Sequence, residues 1–291
     1  MMSDGLAAAR RDQAHAAARR RPGATFVIGG SLVSVILLIA LVSFFWTPYA
    51  PSDTAEALRL GGPSARHWAG TDKLGRDLFT QLMIGARLAL LVAAGSTAIA
   101  AVLGGSLGLF AASSRRRAVD ESFSYLFDVL IAFPTILLAM LIVTIWGASI
   151  LSAILAIGIS GSAVVSRLSR ISAIRVLRTD YVKAAVSGGA SRQAIVFRHV
   201  LPNIYPILVV QLTLVAAGAI LAEATLAYLG LGAPPPQSSW GRMLLEAQGS
   251  VQSSPWGAIF PGFAIVATVM GFNFLGDGIR ELLDPEVAQG K

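Results

Sequence analysis

The chain has no cysteine and very few charged side chains. The absence of cysteine from its 291 residues excludes disulfide bonds and thiolate chemistry. Charged residues make up 13% of the sequence, roughly half the share of a typical soluble domain. Hydrophobic residues make up 55%, and the mean hydropathy is +0.68. This composition predicts an integral membrane protein.

The residue clusters of common catalytic and metal sites are also missing. The histidines stand in three separate polar segments, at His15, His67 and His199. They therefore form no group with metal-ligand spacing. A P-loop requires Gly-Lys-Ser/Thr, and none of the lysines, which are Lys73, Lys183 and Lys291, lies in that context. We expect no enzyme active site, cofactor or metal in this chain.

Long apolar runs dominate the sequence. A helix that crosses a bilayer needs about 20 mostly apolar residues. The runs that meet this length are 24–46, 88–112, 122–146, 147–166, 200–222 and 257–276. Asp128, in the third run, is the only charged residue inside them. The pattern predicts an all-α membrane protein with six transmembrane helices, of which the third is kinked at Pro134.

Basic residues are concentrated in alternate polar segments. Of the 23 lysines and arginines, 17 lie in the polar segments 1–23, 113–121, 167–199 and 277–291, which six spans place on the same side of the membrane. The positive-inside rule therefore predicts that both termini are cytoplasmic. This topology accounts for the net charge of +7, so no nucleic-acid partner is required and membrane lipid is the expected surrounding. The first run is longer than a signal-peptide core and lacks a clean cleavage site, so we expect an uncleaved span.

The apolar runs also divide the chain into predicted units. These are a basic cytoplasmic tail (1–23), a first transmembrane helix (24–46), an extracytoplasmic loop (47–87), a five-helix core (88–280) and a cytoplasmic tail (281–291).

A long polar segment, residues 171–203, interrupts the core. Its pattern predicts a helix over 171–186, a turn at Gly188 and Gly189, and a second helix over 191–199. A connecting loop of this length without structure is uncommon, so the segment is expected to have a function. It would project into the cytoplasm, where the small side chains of Ala184 and Ala185 allow a partner protein to approach closely.

This segment resembles the EAA loop of ABC importer permeases. The shared features are Lys-Ala-Ala at 183–185, a glycine at 189 and Leu-Pro at 201–202. The resemblance implies a coupling helix that docks on a cytoplasmic ATPase, with the contact residues Lys183, Ala184, Ala185, Gly188, Gly189 and Ser191. The chain departs from the family pattern at Lys183, where glutamate is usual, and at Gly188, where a larger apolar residue is common.

Further blocks are similar to the C-type subunits of oligopeptide and dipeptide permeases. They are HWAGTDKLGRDLFTQLMIGARLAL (67–90), RHVLPN (198–203), LAEATLAYLGLGAPPPQSSWGRML (221–244) and FNFLGDGIRELLDP (272–285). The resemblance implies a permease that pairs with a homologous permease, two ATPase domains that bind ATP and Mg²⁺, and an extracytoplasmic solute-binding protein. Related permeases carry dipeptides, longer peptides, nickel complexes or glutathione, so the solute stays open.

Ionisable residues within a span or at its end are the remaining candidates for function. Asp128 and Glu223 could face a translocation path, although structural pairing for Asp128 and an interfacial contact for Glu223 are alternatives. Gly104 and Gly108 form a GxxxG pattern that predicts close helix packing. A self-sufficient secondary transporter would have to use Asp128 and Glu223 as ion sites, and an intramembrane enzyme would need a catalytic cluster that the sequence lacks.

Overall fold

A computed structural model describes residues 23–54, 59–114 and 117–283. The arginines at 10–21 and nearly all of the C-terminal tail lie outside these described residues, so the predictions for the two tails stay predictions. Within the described ranges the chain is helical, and the only β-type pairing there is an isolated bridge between Thr71 and Asp77.

The helices are α1 (Ala24–Phe45), α2 (Leu78–Ile99), α3 (Gly105–Ser113), α4 (Arg117–Ala132), α5 (Thr135–Trp146), α6 (Ile150–Leu177), α7 (Asp180–Ser187), α8 (Arg192–Ile195), α9 (Leu201–Tyr228), α10 (Trp240–Ala247) and α11 (Trp256–Leu283). Two π-helical segments, Ala100–Gly104 and Val196–Val200, join α2 to α3 and α8 to α9 without a break. A single 3₁₀ turn, Gln248–Ser250, follows α10.

Five continuous helical segments are long and apolar enough to cross a membrane, and a bent pair supplies a sixth span. The bent pair is α4 and α5, which meet at 90° around Pro134. Proline lacks the amide proton that the helix ladder requires at this point, and the predicted kink is here a complete break. The all-helical membrane fold is confirmed, and the third span is two helices rather than one.

The two chain ends of the described part meet at one end of the bundle. Thr25 at the start of α1 donates a 3.0 Å hydrogen bond to Glu281 near the end of α11. At the other end, Ser43 near the end of α1 accepts a hydrogen bond from Arg87 in α2. Termini on a common side agree with the predicted arrangement, while the assignment of that side to the cytoplasm stays a prediction. We call the end that carries α7 the turn end and the opposite end the loop end.

Helix α2 begins at Leu78, well before the predicted start at residue 88. The Asp77 side chain caps it by accepting a 2.7 Å hydrogen bond from the Thr80 amide. Sequence reasoning took the polar residues before Leu88 as the edge of the span. Gln81 instead donates to the Pro51 carbonyl at 3.0 Å, and Arg87 pairs with Ser43, so both polar groups are satisfied within a helix.

The remaining spans differ from prediction mainly at their ends. Helix α6 begins with a capping box at Ser149 and Ser152 and continues to Leu177, beyond the predicted end at residue 166. Helix α9 continues to Tyr228, and α11 continues past Asp277 to Leu283. A hydropathy window stops at the first charge, whereas the helical hydrogen-bond ladder continues outside the apolar layer.

Small residues bring α3 against α6. A side chain on Gly104 would place its Cβ 2.6 Å from the Ser162 carbonyl oxygen, and one on Gly108 would meet the Ser169 Cβ at 2.7 Å. The helix backbones therefore approach each other directly, which is how helices associate in lipid without a hydrophobic driving force. The predicted packing role of the GxxxG pattern is confirmed.

Candidate functional site

The polar segment between α6 and α9 forms a short helix and a tight turn at the turn end. Helix α7 covers only Asp180–Ser187, because residues 171–177 belong to α6 and not to the helix predicted over 171–186. The predicted turn is present. Gly189 has φ of +81°, a left-handed conformation that glycine adopts without a steric penalty. The Gly188 amide donates to the Ala184 carbonyl at 2.9 Å and closes the end of α7.

A buried valine fixes α7 to the membrane helices. Val182 is 1% exposed and packs into a cluster that we call the coupling cluster. Its buried members are Ala173, Val182, Ile195, Val200 and Ile204, and the partly buried residues around it include Leu109, Ala112 and Val176. The cluster joins the ends of α3, α6 and α9 to α7. Helix α7 therefore packs on the same apolar cluster as the ends of three membrane helices.

The opposite face of α7 is open. Ala184 is exposed and Ala185 is half-buried, so the backbone of α7 is accessible to a partner. Lys183 Nζ lies 2.8 Å from Asp180 Oδ1, and both side chains are largely exposed. Such a solvated pair contributes little to stability, so Lys183 stays available to a partner protein.

The surface around α7 is strongly basic. Its exposed basic side chains are Arg175, Arg178, Lys183, Arg192 and Arg198. Asp180 is the only exposed acidic residue in the described stretch 171–203.

The second predicted helix, over 191–199, is the beginning of a much longer element. The Ser191 side chain caps α8 by accepting a 3.2 Å hydrogen bond from the Ala194 amide. The π-helical turn Val196–Val200 then carries the chain into α9, so one continuous helical element runs from Arg192 to Tyr228. Ser191 therefore marks where the turn ends and a membrane-spanning element begins.

The candidate residue Asp128 is paired in the structure. Its Oδ1 lies 3.6 Å from Arg167 Nη1, and both side chains are more than half exposed. A tighter pair lies nearby, where Arg170 Nε and Nη2 each donate a 2.6 Å hydrogen bond to Asp120. Structural pairing of Asp128, the alternative weighed from the sequence, is the arrangement observed.

The second candidate, Glu223, is 3% exposed and lies near the loop end of α9. Ser239, which caps the start of α10, is hydrogen-bonded to the carboxylate, and Oε1 has no hydrogen-bond partner among the described residues. The adjacent Ala224 carbonyl lies against Gly241 in α10. Glu223 thus sits beneath the first turn of α10, a short helix that the sequence did not reveal.

A hollow of about 320 Å³ opens between α5, α6 and α9. Its walls include Ser160 and Gly161 from α6 and Gln211, Gly218 and Ala219 from α9. Neither Asp128 nor Glu223 is among the described residues that line it. Their predicted part in a translocation path stays a prediction that this geometry does not support. Sequence reasoning overlooked Gln211, although a lone glutamine in an apolar run was a visible signal.

A charge network ties the loop after α1 to α10 at the loop end. Arg76 Nε donates a 2.6 Å hydrogen bond to Asp72, and its Nη2 donates to Glu246. Arg242 Nε also donates to Glu246, at 2.9 Å. Burial lowers the pKa of Arg76, but the hydrogen bonds and charges of Asp72 and Glu246 more than compensate and raise it overall. Arg76 therefore remains a cation at every pH at which the protein is handled.

His67 and Asp77 form a second buried group in the same loop. His67 Nδ1 lies 3.0 Å from Asp77 Oδ1, and the ring of Tyr49 stacks on the imidazole with centroids 4.7 Å apart. The Tyr49 hydroxyl donates to the Arg66 carbonyl at 2.6 Å. These contacts hold the loop against the start of α2. In the described part of the chain, no group of three or more acidic or histidine side chains could hold a metal ion.

Comparison with known proteins identifies the family. A family model described as "Binding-protein-dependent transport system inner membrane component" matches residues 104–289. The dipeptide transport system permease protein DppC of Alkalihalophilus pseudofirmus is 41% identical over 261 residues, which cover 90% of this chain and 86% of that protein. The glutathione transport system permease protein GsiD of Pectobacterium atrosepticum is 37% identical over 90% of this chain and 87% of its own length.

The fold has a counterpart among solved structures. A chain of the MetNI methionine ABC transporter, in an inward-facing conformation, aligns with a TM-score of 0.60. The alignment covers 70% of this chain and 97% of that chain, at 18% identity, so it supports the fold alone. The resemblance seen in the sequence motifs is confirmed: this multi-pass membrane protein belongs to the family of binding-protein-dependent transport system inner membrane components.

Proposed function

We propose that the chain is the transmembrane permease subunit of an ATP-driven importer for peptides. The observation that carries the proposal is the attachment of α7. Its outer face is open to a partner, while Val182 is buried in the coupling cluster that joins α3, α6 and α9. The family of the chain and the names of its relatives, which include a dipeptide permease, support the same function.

In this proposal the energy enters from other subunits. Two cytoplasmic ATPase domains bind ATP and Mg²⁺, and their closure displaces α7. The coupling cluster passes the displacement to α6 and α9, and the permease changes the side on which its path opens. A homologous permease supplies the other half of the path, and an extracytoplasmic binding protein delivers the solute. This chain contributes no catalytic residue.

The basic surface around α7 predicts the chemistry of the groove that receives it. Lys183, Arg192 and Arg198 are exposed there, so an acidic groove on the ATPase would be complementary. Lys183, in place of the glutamate that is usual in the family, agrees with a groove whose charge is reversed at this point.

Glutathione is a second candidate solute, because a glutathione permease is among the relatives. Glutathione is itself a tripeptide, so both candidates present amide groups to the path. Nickel complexes, the third candidate from the sequence, have no specific observation in their favour. The secondary-transporter alternative relied on Asp128 and Glu223, and the pairing of Asp128 and the burial of Glu223 weigh against free ion sites.

A docking experiment tests the proposal. The chain is tagged at its C-terminus, expressed with its neighbouring transport subunits and purified in mild detergent. An ATPase and a second permease are expected to co-purify with the wild type. Ala185→Arg is expected to release the ATPase, because the arginine blocks close approach to α7. Ala118→Arg, on an exposed alanine at the same end of the bundle, is the matched control and should retain it.

The outcome against the proposal is equally clear. A homo-oligomer that contains no ATPase under several detergents would contradict the importer and favour a self-sufficient transporter. Retention of the ATPase by Ala185→Arg, with unchanged transport, would remove α7 from the coupling contact.

A further inference from the structure

The hollow between α5, α6 and α9 lies at the middle depth of the membrane helices. Helices α6 and α9 are each 28 residues long. Ser160 and Gln211 each stand about 15 Å from the start of their helix, and therefore within roughly 6 Å of its midpoint. The residues that line the hollow recur three or four positions apart on α6 and α9. One face of each helix therefore contributes to a continuous wall.

Gln211 is an unusual residue to find in this position. Its side chain is half-buried and makes no hydrogen bond within the described part of the chain. Polar side chains at this depth normally pair with a neighbouring helix or face a water-filled path. Ser160 satisfies its hydroxyl proton locally by donating to the Ala156 carbonyl at 2.9 Å. The Gln211 amide is thus available to hydrogen-bond with a group that enters the hollow.

The wall is small and uncharged. The wall has small side chains at Gly161, Gly218, Ala219 and Ala222. No lysine, arginine, aspartate or glutamate is among the described residues that line it. A Cβ on Gly218 would meet no atom within 4 Å, so the space in front of this glycine is open. A charged wall would hold a solute of opposite charge tightly, whereas passage requires contacts weak enough to release it.

We propose that the faces of α6 and α9 around Gln211 and Gly218 form this chain's wall of the solute path, and that Gln211 is its hydrogen-bonding contact for amide groups of a passing peptide. A glutamine side chain both donates and accepts, so it matches the N–H and C=O of a peptide bond. The inference rests on the proposed function and names the site and the solute chemistry within it. A lipid acyl chain in the hollow would leave the Gln211 amide unpaired.

The absence of cysteine from the chain allows a direct test. Gly218→Cys and Gln211→Cys are each introduced singly into the full complex in membrane vesicles. The probe is the membrane-impermeant cation methanethiosulfonate ethyltrimethylammonium, and labelling of the tagged chain is read as a mass shift. Gly262→Cys is the matched control, because Gly262 also has open space in front of it and lies on an exposed apolar face with Ile259 and Phe263.

A water-filled wall predicts that Gly218→Cys and Gln211→Cys react at least about tenfold faster than Gly262→Cys. Trapping the ATPases with ATP and vanadate should change the labelling rate of both path positions. Labelling of Gly218→Cys no faster than that of Gly262→Cys in either state would overturn the wall, even if the ATPase co-purifies. Fast labelling of Gly218→Cys and Gln211→Cys at a rate that does not change with nucleotide, in a complex without ATPase, would support the wall and contradict the proposed importer.

The hydrogen-bonding part of the inference has its own readout. Gln211→Leu is expected to reduce uptake of tritiated dialanine, or of glutathione if the wild type carries that, by about tenfold, the worth of one lost hydrogen bond. Gln211→Asn keeps the amide and should retain more uptake. Unchanged uptake by Gln211→Leu would overturn the role of Gln211. Failure of the wild-type complex to take up either peptide would contradict the assignment of peptides as the solute. The labelling rates alone would then test whether α6 and α9 form a wall of the path.

Discussion

Arg170 in α6 donates two hydrogen bonds to the carboxylate of Asp120 in α4, from Nε to Oδ1 and from Nη2 to Oδ2, each 2.6 Å long. Helix α4 leads into the bend at Pro134, so this bidentate pair sets where the bent span meets α6. A planar guanidinium that matches both carboxylate oxygens is the strong form of such a contact.

Loss of this pair should loosen the bent span. Asp120→Asn leaves a partly buried guanidinium without its counter-charge, and we expect the free energy of unfolding to fall by about 1–3 kcal/mol. Unfolding in mixed detergent micelles measures the change. Asp128→Asn is the control: its ion pair with Arg167 is 3.6 Å long and both side chains are more than half exposed, so the loss should stay below about 0.5 kcal/mol. Equal losses in the two variants would contradict the assignment.

Alanine substitutions at two adjacent glycines are expected to have opposite effects on stability. Gly104→Ala places a Cβ against the Ser162 carbonyl, and the resulting separation of α3 from α6 should cost about 1–3 kcal/mol. Gly105→Ala meets no atom within 4 Å and should be neutral or slightly stabilising, because alanine favours a helix by about 1 kcal/mol over glycine. Thermal stability in detergent, followed by size-exclusion chromatography, compares them. A destabilised Gly105→Ala beside an unchanged Gly104→Ala would refute the close approach.

The attachment of the loop to α10 depends on one arginine. Arg76→Gln removes the cation that bridges Asp72 and Glu246, and we expect faster proteolysis within residues 47–77 and a loss of about 1–3 kcal/mol. Lys73→Gln removes a nearby exposed cation that makes no ion pair in the described part of the chain, and should leave both unchanged. The pKa of Arg76 is raised, so its pairing is lost only at extreme alkaline pH. Protection of the loop should therefore not depend on titration of Arg76 near neutral pH.

Filling the hollow should block transport without disturbing assembly. Gly218→Leu projects into open space, so the helices keep their packing while the path narrows. We expect solute uptake to fall at least about tenfold, with the ATPase still bound, as for a pore whose bore is occupied. Gly262→Leu makes the same change on an outward apolar face and should transport normally. Full transport by Gly218→Leu would mean that the solute passes elsewhere.

The apolar runs were sufficient to predict the membrane fold, and the paired glycines at 188 and 189 were sufficient to predict the turn. The start of α2 could not be predicted from hydropathy, because what allows Gln81 and Arg87 inside a helix is their partners, Pro51 and Ser43, which are distant in sequence. Family resemblance assigned the proposed coupling residues to this segment. The residue pattern placed too much chain in their helix, since the break after Leu177 has no proline or glycine to mark it.

The residues that line the proposed path were the least predictable part of the candidate site. Charge drew attention to Asp128 and Glu223, yet the first is paired with Arg167 and the second is buried beneath α10. The hollow is instead lined by neutral residues, and its existence depends on how α5 folds away from Pro134. A cavity between helices is a property of their arrangement, which no single segment of sequence records.

The uninterrupted helix from Arg192 to Tyr228 is 37 residues long and spans about 55 Å. Ile195 lies in the coupling cluster at one end, Ala224 touches Gly241 at the other, and Gln211 and Gly218 stand between them. A rotation of this rod about its own axis would turn Gln211 away from the hollow and shift both ends in the same stroke. The proposed ATPase contact, the proposed wall of the path and the packing beneath α10 would therefore move together with this helix. A state in which only one of them has moved requires a bend in the rod, and the π-helical turn Val196–Val200 is where the helix geometry allows it.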